Sequence, residues 1–178
     1  TIKASLFDAY GTLLDVNSAT ARLVASNKFP KLADKSEALS QIWRVRQLHY
    51  SWLRSLMGAY VPFWQCTCDA LDFALAETGL AGDDDLRTAL LSLYRQLAAY
   101  DDAITILDHM GAAGVPRARV SNGNQEMLSE AALAAALDSA LEAVLSVVDV
   151  GIFKPSPAVY QLGCALFDVA PQTGVRFQ

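Results

Sequence analysis

Histidine is nearly missing from this chain. Only His49 and His109 occur in 178 residues, both inside helical patterns, so a histidine-built metal cluster is not expected. No G-x-S-x-G turn precedes a helix, and no cysteine is paired with a histidine, which removes the usual serine and cysteine nucleophile arrangements. Cysteine itself is rare. Cys66, Cys68 and Cys164 make an odd count without framework spacing, and residues two apart on a helix point to different faces. They read as reduced, buried thiols of a cytosolic protein. Basic residues are outnumbered, 14 Lys and Arg against 19 Asp and Glu, for a net charge of −5. Nucleic acid and anionic membrane surfaces are poor partners for such a chain. No apolar run reaches about 18 residues and no signal-peptide layout opens the chain, so the expectation is a soluble cytoplasmic protein.

What is abundant is apolar: 53% of residues are hydrophobic, enough for a sizeable core. Ile2 to Phe7 reads as a short strand ending on Asp8. From Val16 to about Tyr100 the pattern is helical. Gln41 to Met57 carries Ile42, Val45, Leu48, Leu53 and Leu56 as an apolar stripe, and Phe63–Ala76 and Leu86–Leu97 repeat the style. Beyond Asp101 and Asp102, read as a solvated turn or hinge, the periodicity alternates. Helices are expected at 103–113, 124–137 and 156–167, with strands at 115–120, 144–148 and from Val175. Alternating strands and helices predict a doubly wound, parallel-sheet (Rossmann-like) α/β core. The helical block interrupts it, giving a discontinuous core of residues 1–15 and 99–178 around an insertion of residues 16–98.

In such sheets the site lies at the carboxyl ends of the strands. Three of those ends carry polar groups: Asp8, Ser121-Asn122-Gly123, and Lys154 just beyond the third strand. Asp8 alone could be a turn acid, though Gly11 and Thr12 permit a tight turn that aims it outward. A lone Lys154, between the strand and Pro155 and Pro157, would be solvated; paired with Asp8 it would position a carboxylate nucleophile. Ser121 could be a cap, or with its neighbouring amides a seat for an anion.

"FDAYGTLLD", "VSNG" and "IFKPSPAVY" resemble the first three motifs of the haloacid dehalogenase superfamily, in order. "FDAYGTLLDVNSA", "WRVRQLHYSWLRSLMGAYVPFW" and "SNGNQEML" are similar to its (S)-2-haloacid dehalogenases across nearly the whole chain. The helical insertion then corresponds to a cap domain. Phosphatases of the superfamily carry a second acid two residues after the first; Tyr10 stands there, which disfavours a magnesium site. No cofactor or metal is implied.

The resemblance implies that Asp8 attacks C2 of a short (S)-2-haloalkanoate and expels halide. Water then hydrolyses the ester to the (R)-2-hydroxy acid. Arg44 and Asn122 would receive the halide. Ala9, Tyr10, Ser121 and Asn122 would seat the substrate carboxylate. Lys154 and Thr12 would orient Asp8, Tyr160 would support Lys154 or the water, and Leu48 and Phe63 would be apolar walls. A homodimer is expected through apolar cap surfaces around Trp52, Leu53 and Leu56.

Two departures stand out. The chain ends at Phe177-Gln178, where the resemblance implies a strand leading to a fourth motif with a Ser, an Asn and an acid, so the C-terminal part of the core is expected to be missing. Arg117 and Arg119 interrupt a strand that should be nearly all apolar, through a strand shift, unusual salt bridges or an altered sequence. A phosphatase-like hydrolase and a catalytically incomplete binding or oligomeric remnant are the alternatives.

Overall fold

A computed structural model describes residues 3–137, 139–170 and 175–177. The chain divides into two compact units, one of Thr1–Asp15 with Ala98–Gln178 and the other Val16–Leu97.

The first unit is built on β1 (Ala4–Phe7), β2 (Arg117–Ser121), β3 (Ala143–Ser146) and β4 (Val175–Phe177), in the order β3-β2-β1-β4. Every pairing is parallel. Parallel neighbours need crossover helices, and α5 (Asp101–Ala112), α6 (Gln125–Ala134) and α7 (Pro157–Leu166) supply them. Leu6 pairs with Ala118 and Phe7 with Arg119, so Leu6 and Arg119 lie on opposite sheet faces. Gly163 of α7 approaches Leu6, whereas Arg119 bonds Leu128 of α6. The two helices therefore cover opposite faces, which is the doubly wound α/β arrangement. Gly163 is required where it sits, because a Cβ there would lie 2.1 Å from Leu6 Cδ1. Local signals set the helix starts. Asn124 Oδ1 accepts from Met127 N–H at 3.1 Å, and Pro157 opens α7.

Several sequence expectations shift here. β2 begins at Arg117, not Val115, and β3 ends at Ser146, where the chain enters a 3-10 turn over Val147–Asp149. The expected start of β1 at Ile2 lies outside the described residues. Asp101 and Asp102 are not a turn but the first residues of α5, where their charge complements the helix N-terminus. The strand does shift by two residues, yet it keeps both arginines. Arg119 is fully buried and donates through Nη2 to Leu128 O at 2.9 Å, with no acid beside it among the described residues.

The second unit is helical: α1 (Ser18–Ala25), a 3-10 turn over Pro30–Lys35, α2 (Ser36–Leu56), α3 (Phe63–Glu77) and α4 (Asp84–Tyr94). Asp83 caps α4 by accepting from Leu86 N–H at 2.9 Å. The apolar stripe expected on α2 is the wrong face. Leu39, Ser40, Trp43, Gln47 and Ser51 are buried, while Val45, Leu53 and Leu56 are exposed, Leu56 by 84%. Hydropathy missed this because the buried row is polar but satisfied. Trp43 Nε1 donates to Thr67 O at 2.9 Å, and Gln47 Nε2 to Thr67 Oγ1 at 2.7 Å. Among the described residues no helix is long and apolar enough to cross a membrane.

Candidate active site

β1 is buried along its length and ends abruptly in a turn that exposes Asp8. Gly11 adopts a φ of 92°, a conformation that glycine accepts without strain. Its N–H bonds Leu14 O at 2.9 Å, while the N–H groups of Leu13 and Leu14 bond Ala9 O at 3.0 and 2.9 Å. The loop thus folds back on itself, and Ala9 N–H donates to Asp8 Oδ1 at 2.7 Å.

Lys154 completes the centre. Its Nζ donates to Asp8 Oδ1 at 2.5 Å and to Val120 O at 3.1 Å. The ammonium is therefore held by one carboxylate and one main-chain carbonyl, with the side chain only 16% exposed. The Lys154 N–H donates to Asn122 Oδ1 at 3.0 Å, which ties the loop after β3 to the loop after β2. Asn122 keeps its Nδ2 donors uncommitted among the described residues. Ser121 is fully buried, and its Oγ accepts from Gly123 N–H at 3.2 Å. Ser146 Oγ in turn donates to Gly123 O at 2.8 Å. A Cβ at Gly123 would stand 3.0 Å from the Tyr10 ring and 3.2 Å from Leu128 Cδ2, so a larger residue there would press on both.

Tyr160 lies on α7 near enough to Asp8 for the carboxylate to matter. Burial first, and the Asp8 charge second, push its phenol above the ordinary range. Burial likewise lowers the Arg119 guanidinium from its ordinary value. Tyr10 is buried against the loop after β2, two residues beyond Asp8. Thr12 N–H bonds Ala9 O at 3.4 Å, but its hydroxyl makes no hydrogen bond to Asp8. Of the two expected contacts to Asp8, the one from Lys154 is present and the one from the Thr12 hydroxyl is not. Ala9 N–H, expected to face a substrate carboxylate, is engaged by Asp8 itself.

The remaining residues singled out from sequence belong to the helical unit. Arg44 and Leu48 are half-buried on α2, and Phe63 is buried at the start of α3. Arg44 Nη1 donates to Gln47 Oε1 at 2.9 Å. Two partners of the predicted residues escaped the sequence reading. The Val120 carbonyl that holds Lys154 leaves no trace in sequence, since any residue has one. Gln47, the partner of Arg44, could have been found from its spacing of three on one helix.

A hard divalent cation does not suit this donor set. Asp8 stands without a second acid at position 10, its Oδ1 holds Lys154, and among the described residues no three His, Cys, Asp or Glu side chains gather.

A family model for haloacid dehalogenase-like hydrolases matches residues 2–175, and the chain belongs to that class of enzymes. The (S)-2-haloacid dehalogenase 1 of Pseudomonas sp. (strain CBS-3) is 48% identical over 170 residues, 96% of this chain and 73% of the relative. The (S)-2-haloacid dehalogenase 4A of Burkholderia cepacia is 45% identical over 170 residues, 96% of this chain and 71% of the relative. Within the class, the chain is a member of the (S)-2-haloacid dehalogenase family, hydrolases acting on carbon–halide bonds. Among solved structures, a dehalogenase superposes with a TM-score of 0.91 at 45% identity, over 99% of this chain and 76% of its own. The L-2-haloacid dehalogenase of Xanthobacter autotrophicus with chloropropionic acid covalently bound superposes with a TM-score of 0.85 at 37% identity, over 99% and 69%.

Proposed function

We propose that the protein hydrolyses short (S)-2-haloalkanoic acids to (R)-2-hydroxyalkanoic acids through an ester on Asp8. The observation that carries this reading is the 2.5 Å contact between Lys154 Nζ and Asp8 Oδ1 at the end of β1. A carboxylate held by one ammonium and by its own loop is fixed in direction, as in-line attack requires. One Asp8 oxygen forms the new bond to C2 from the face opposite the halogen, and the C–X electron pair leaves with the halide. Water then adds to the Asp8 carbonyl carbon, the ester bond breaks, and the carboxylate returns with a proton released. Attack on C2 from the rear inverts that centre once.

Asn122 Nδ2 and the Arg44 guanidinium are assigned to the departing halide. The backbone at Ala9 and Tyr10, with Ser121 and Asn122, is assigned to the substrate carboxylate, which requires Ala9 N–H to exchange its bond to Asp8. Lys154 is assigned to orient Asp8 directly and Thr12 only through the turn that carries it, where its N–H bonds Ala9 O; Tyr160 supports Lys154 or the water, and Leu48 and Phe63 limit the alkyl chain. Donors aimed at a developing negative charge are worth about 10²–10³ in rate each. Halide leaves without needing a proton, which fits Tyr10 in the place of a second acid.

We further assign a homodimer, with α2 as its contact. Val45, Trp52, Leu53 and Leu56 of that helix, with Met57 just after it, are exposed apolar side chains, a surface that isolated subunits seldom keep open. Leu56→Asp is expected to convert dimer to monomer in light scattering. A cytoplasmic location is assigned from the three free thiols, which suit a reducing compartment.

The test is halide release from (S)- and (R)-2-chloropropionate in EDTA, comparing the protein with Asp8→Ala. Sustained release from the (S) enantiomer alone, lost in the variant, is the expected result. In single turnover in ¹⁸O-water, the label is expected in Asp8. Release that survives Asp8→Ala would overturn the reading.

A further inference from the structure

We infer that Gln47 is a positioning residue for Arg44, held in place by Thr67 and Tyr94. The inference rests on the reading that Arg44 receives the departing halide. Arg44 and Gln47 are three residues apart on α2, so their side chains share one surface of the helix. That spacing alone would make a weak, exposed pair. Gln47 is different because it is buried to 1% exposure, in the seam where α2 meets α3 and α4.

The hydrogen bonds fix which way its amide faces. Thr67 Oγ1 gives its only proton to Phe63 O at 2.9 Å, so toward Gln47 it can only accept. Gln47 therefore turns Nε2 to Thr67, at 2.7 Å, and Nε2 also lies 2.9 Å from the Tyr94 hydroxyl. Oε1 is then committed to the other side, where it accepts from Arg44 Nη1 at 2.9 Å and lies 3.1 Å from the Tyr94 hydroxyl. The supports are themselves anchored. Trp43 Nε1 donates to Thr67 O at 2.9 Å, and the Trp43 and Tyr94 rings pack in a tilted pair with centroids 4.9 Å apart.

An arginine side chain has several rotatable bonds, and a cation meant for a small spherical anion must be placed to within a fraction of an ångström. A neutral amide does this better than a carboxylate. Its oxygen restrains the guanidinium through a charge-assisted bond yet brings no negative charge of its own to compete with the anion. A buried network satisfied at every member is also stiff, since any rearrangement would strand a polar group. Gln47 touches neither substrate nor halide in this scheme; it acts through Arg44.

The experiment uses the full chain and compares Gln47→Met, Arg44→Ala and the double variant, reading kcat, KM and inhibition by bromide. Gln47→Met is expected to weaken bromide inhibition and lower kcat, each by about tenfold, with KM nearly unchanged. In the Arg44→Ala background the same change should have no further effect, because its target is gone. Gln47→Glu keeps the oxygen that faces Arg44, so it covers the case in which Met unfolds the helical unit. It too should weaken bromide inhibition, here by neutralising the guanidinium. A lowered melting temperature with unaltered bromide inhibition in both variants would overturn the inference and leave Gln47 a structural residue. So would a Gln47→Met loss that is just as large without Arg44. If Arg44→Ala itself leaves bromide inhibition and kcat untouched, the assignment of Arg44 fails first and takes the inference with it.

Discussion

Replacing Arg119 by methionine should make the protein more stable. Arg119 sits in β2, between β1 and β3, with 0% of its surface exposed. Taking a guanidinium out of water costs several kcal/mol even after relaxation. The structure returns one hydrogen bond, Nη2 to Leu128 O at 2.9 Å, whereas Nε and Nη1 are buried without partners among the described residues. A charged hydrogen bond contributes about 1.5–3 kcal/mol, and each stranded buried N–H costs about 1–3 kcal/mol. Methionine keeps most of the aliphatic stem that packs beneath α6 and removes both the charge and the stranded donors. The expected gain is about 1–4 kcal/mol, the range found when buried charges give way to apolar residues of similar size. At about 2–4 °C per kcal/mol for a chain of this size, the melting temperature should rise by roughly 2–16 °C. Urea denaturation of the two proteins, read by tryptophan fluorescence, gives the number directly, with the midpoint rising and the slope unchanged. A methionine variant less stable than the parent would refute the reasoning, for it would mean that the guanidinium is compensated after all.

Three further outcomes follow from the same geometry. Lys154→Met leaves Asp8 without its ammonium and should lower kcat by about 10²–10³ without unfolding the sheet, as measured by halide release alongside circular dichroism. Gly163→Ala forces a Cβ to 2.1 Å from Leu6 Cδ1 inside a packed interface; the expected loss is about 1–3 kcal/mol, and an unchanged melting temperature would contradict the close contact. Burial pushes the Cys66 thiol from 9.0 up to about 11. Between those pH values the unfolded chain gives up the proton and the folded chain keeps it, so stability falls as pH rises through the window. At 1.36 kcal/mol per unit the full effect is about 3 kcal/mol. Melting temperature should therefore decline more steeply from pH 9 to 11 in the parent than in Cys66→Ala.

How much of this was legible beforehand depended on the kind of signal. Parallel strands buried on both faces leave apolar runs bounded by polar loops, and that pattern, with helices between, suffices for a doubly wound α/β core. Capping residues mark the helix starts at Asn124 and Pro157 because their side-chain chemistry is local. The α2 face was illegible for the opposite reason. Its buried row includes Ser40, Gln47 and Ser51, and a polar residue is indistinguishable from a surface one until its partners are known. The strand limits of β2 were misjudged because Val115 and Pro116 continue the apolar run before Arg117, while pairing with β1 begins only at Arg117.

By itself the sequence determined the class of fold, the residue types at the strand ends, and a single acid followed by tyrosine rather than a second acid. Those are properties of local pattern and covalent order. Tertiary structure alone decided which of them meet. Lys154 reaches Asp8 across 146 positions of chain because β1, β2 and β3 lie parallel and deliver their carboxyl ends to one side. It alone decided that Lys154 Nζ and not the Thr12 hydroxyl bonds Asp8, that Ala9 N–H donates to Asp8, and that Gln47 is inside and Leu56 outside. Hydrogen-bond partners and burial are relations between residues distant in sequence, and no single position carries them.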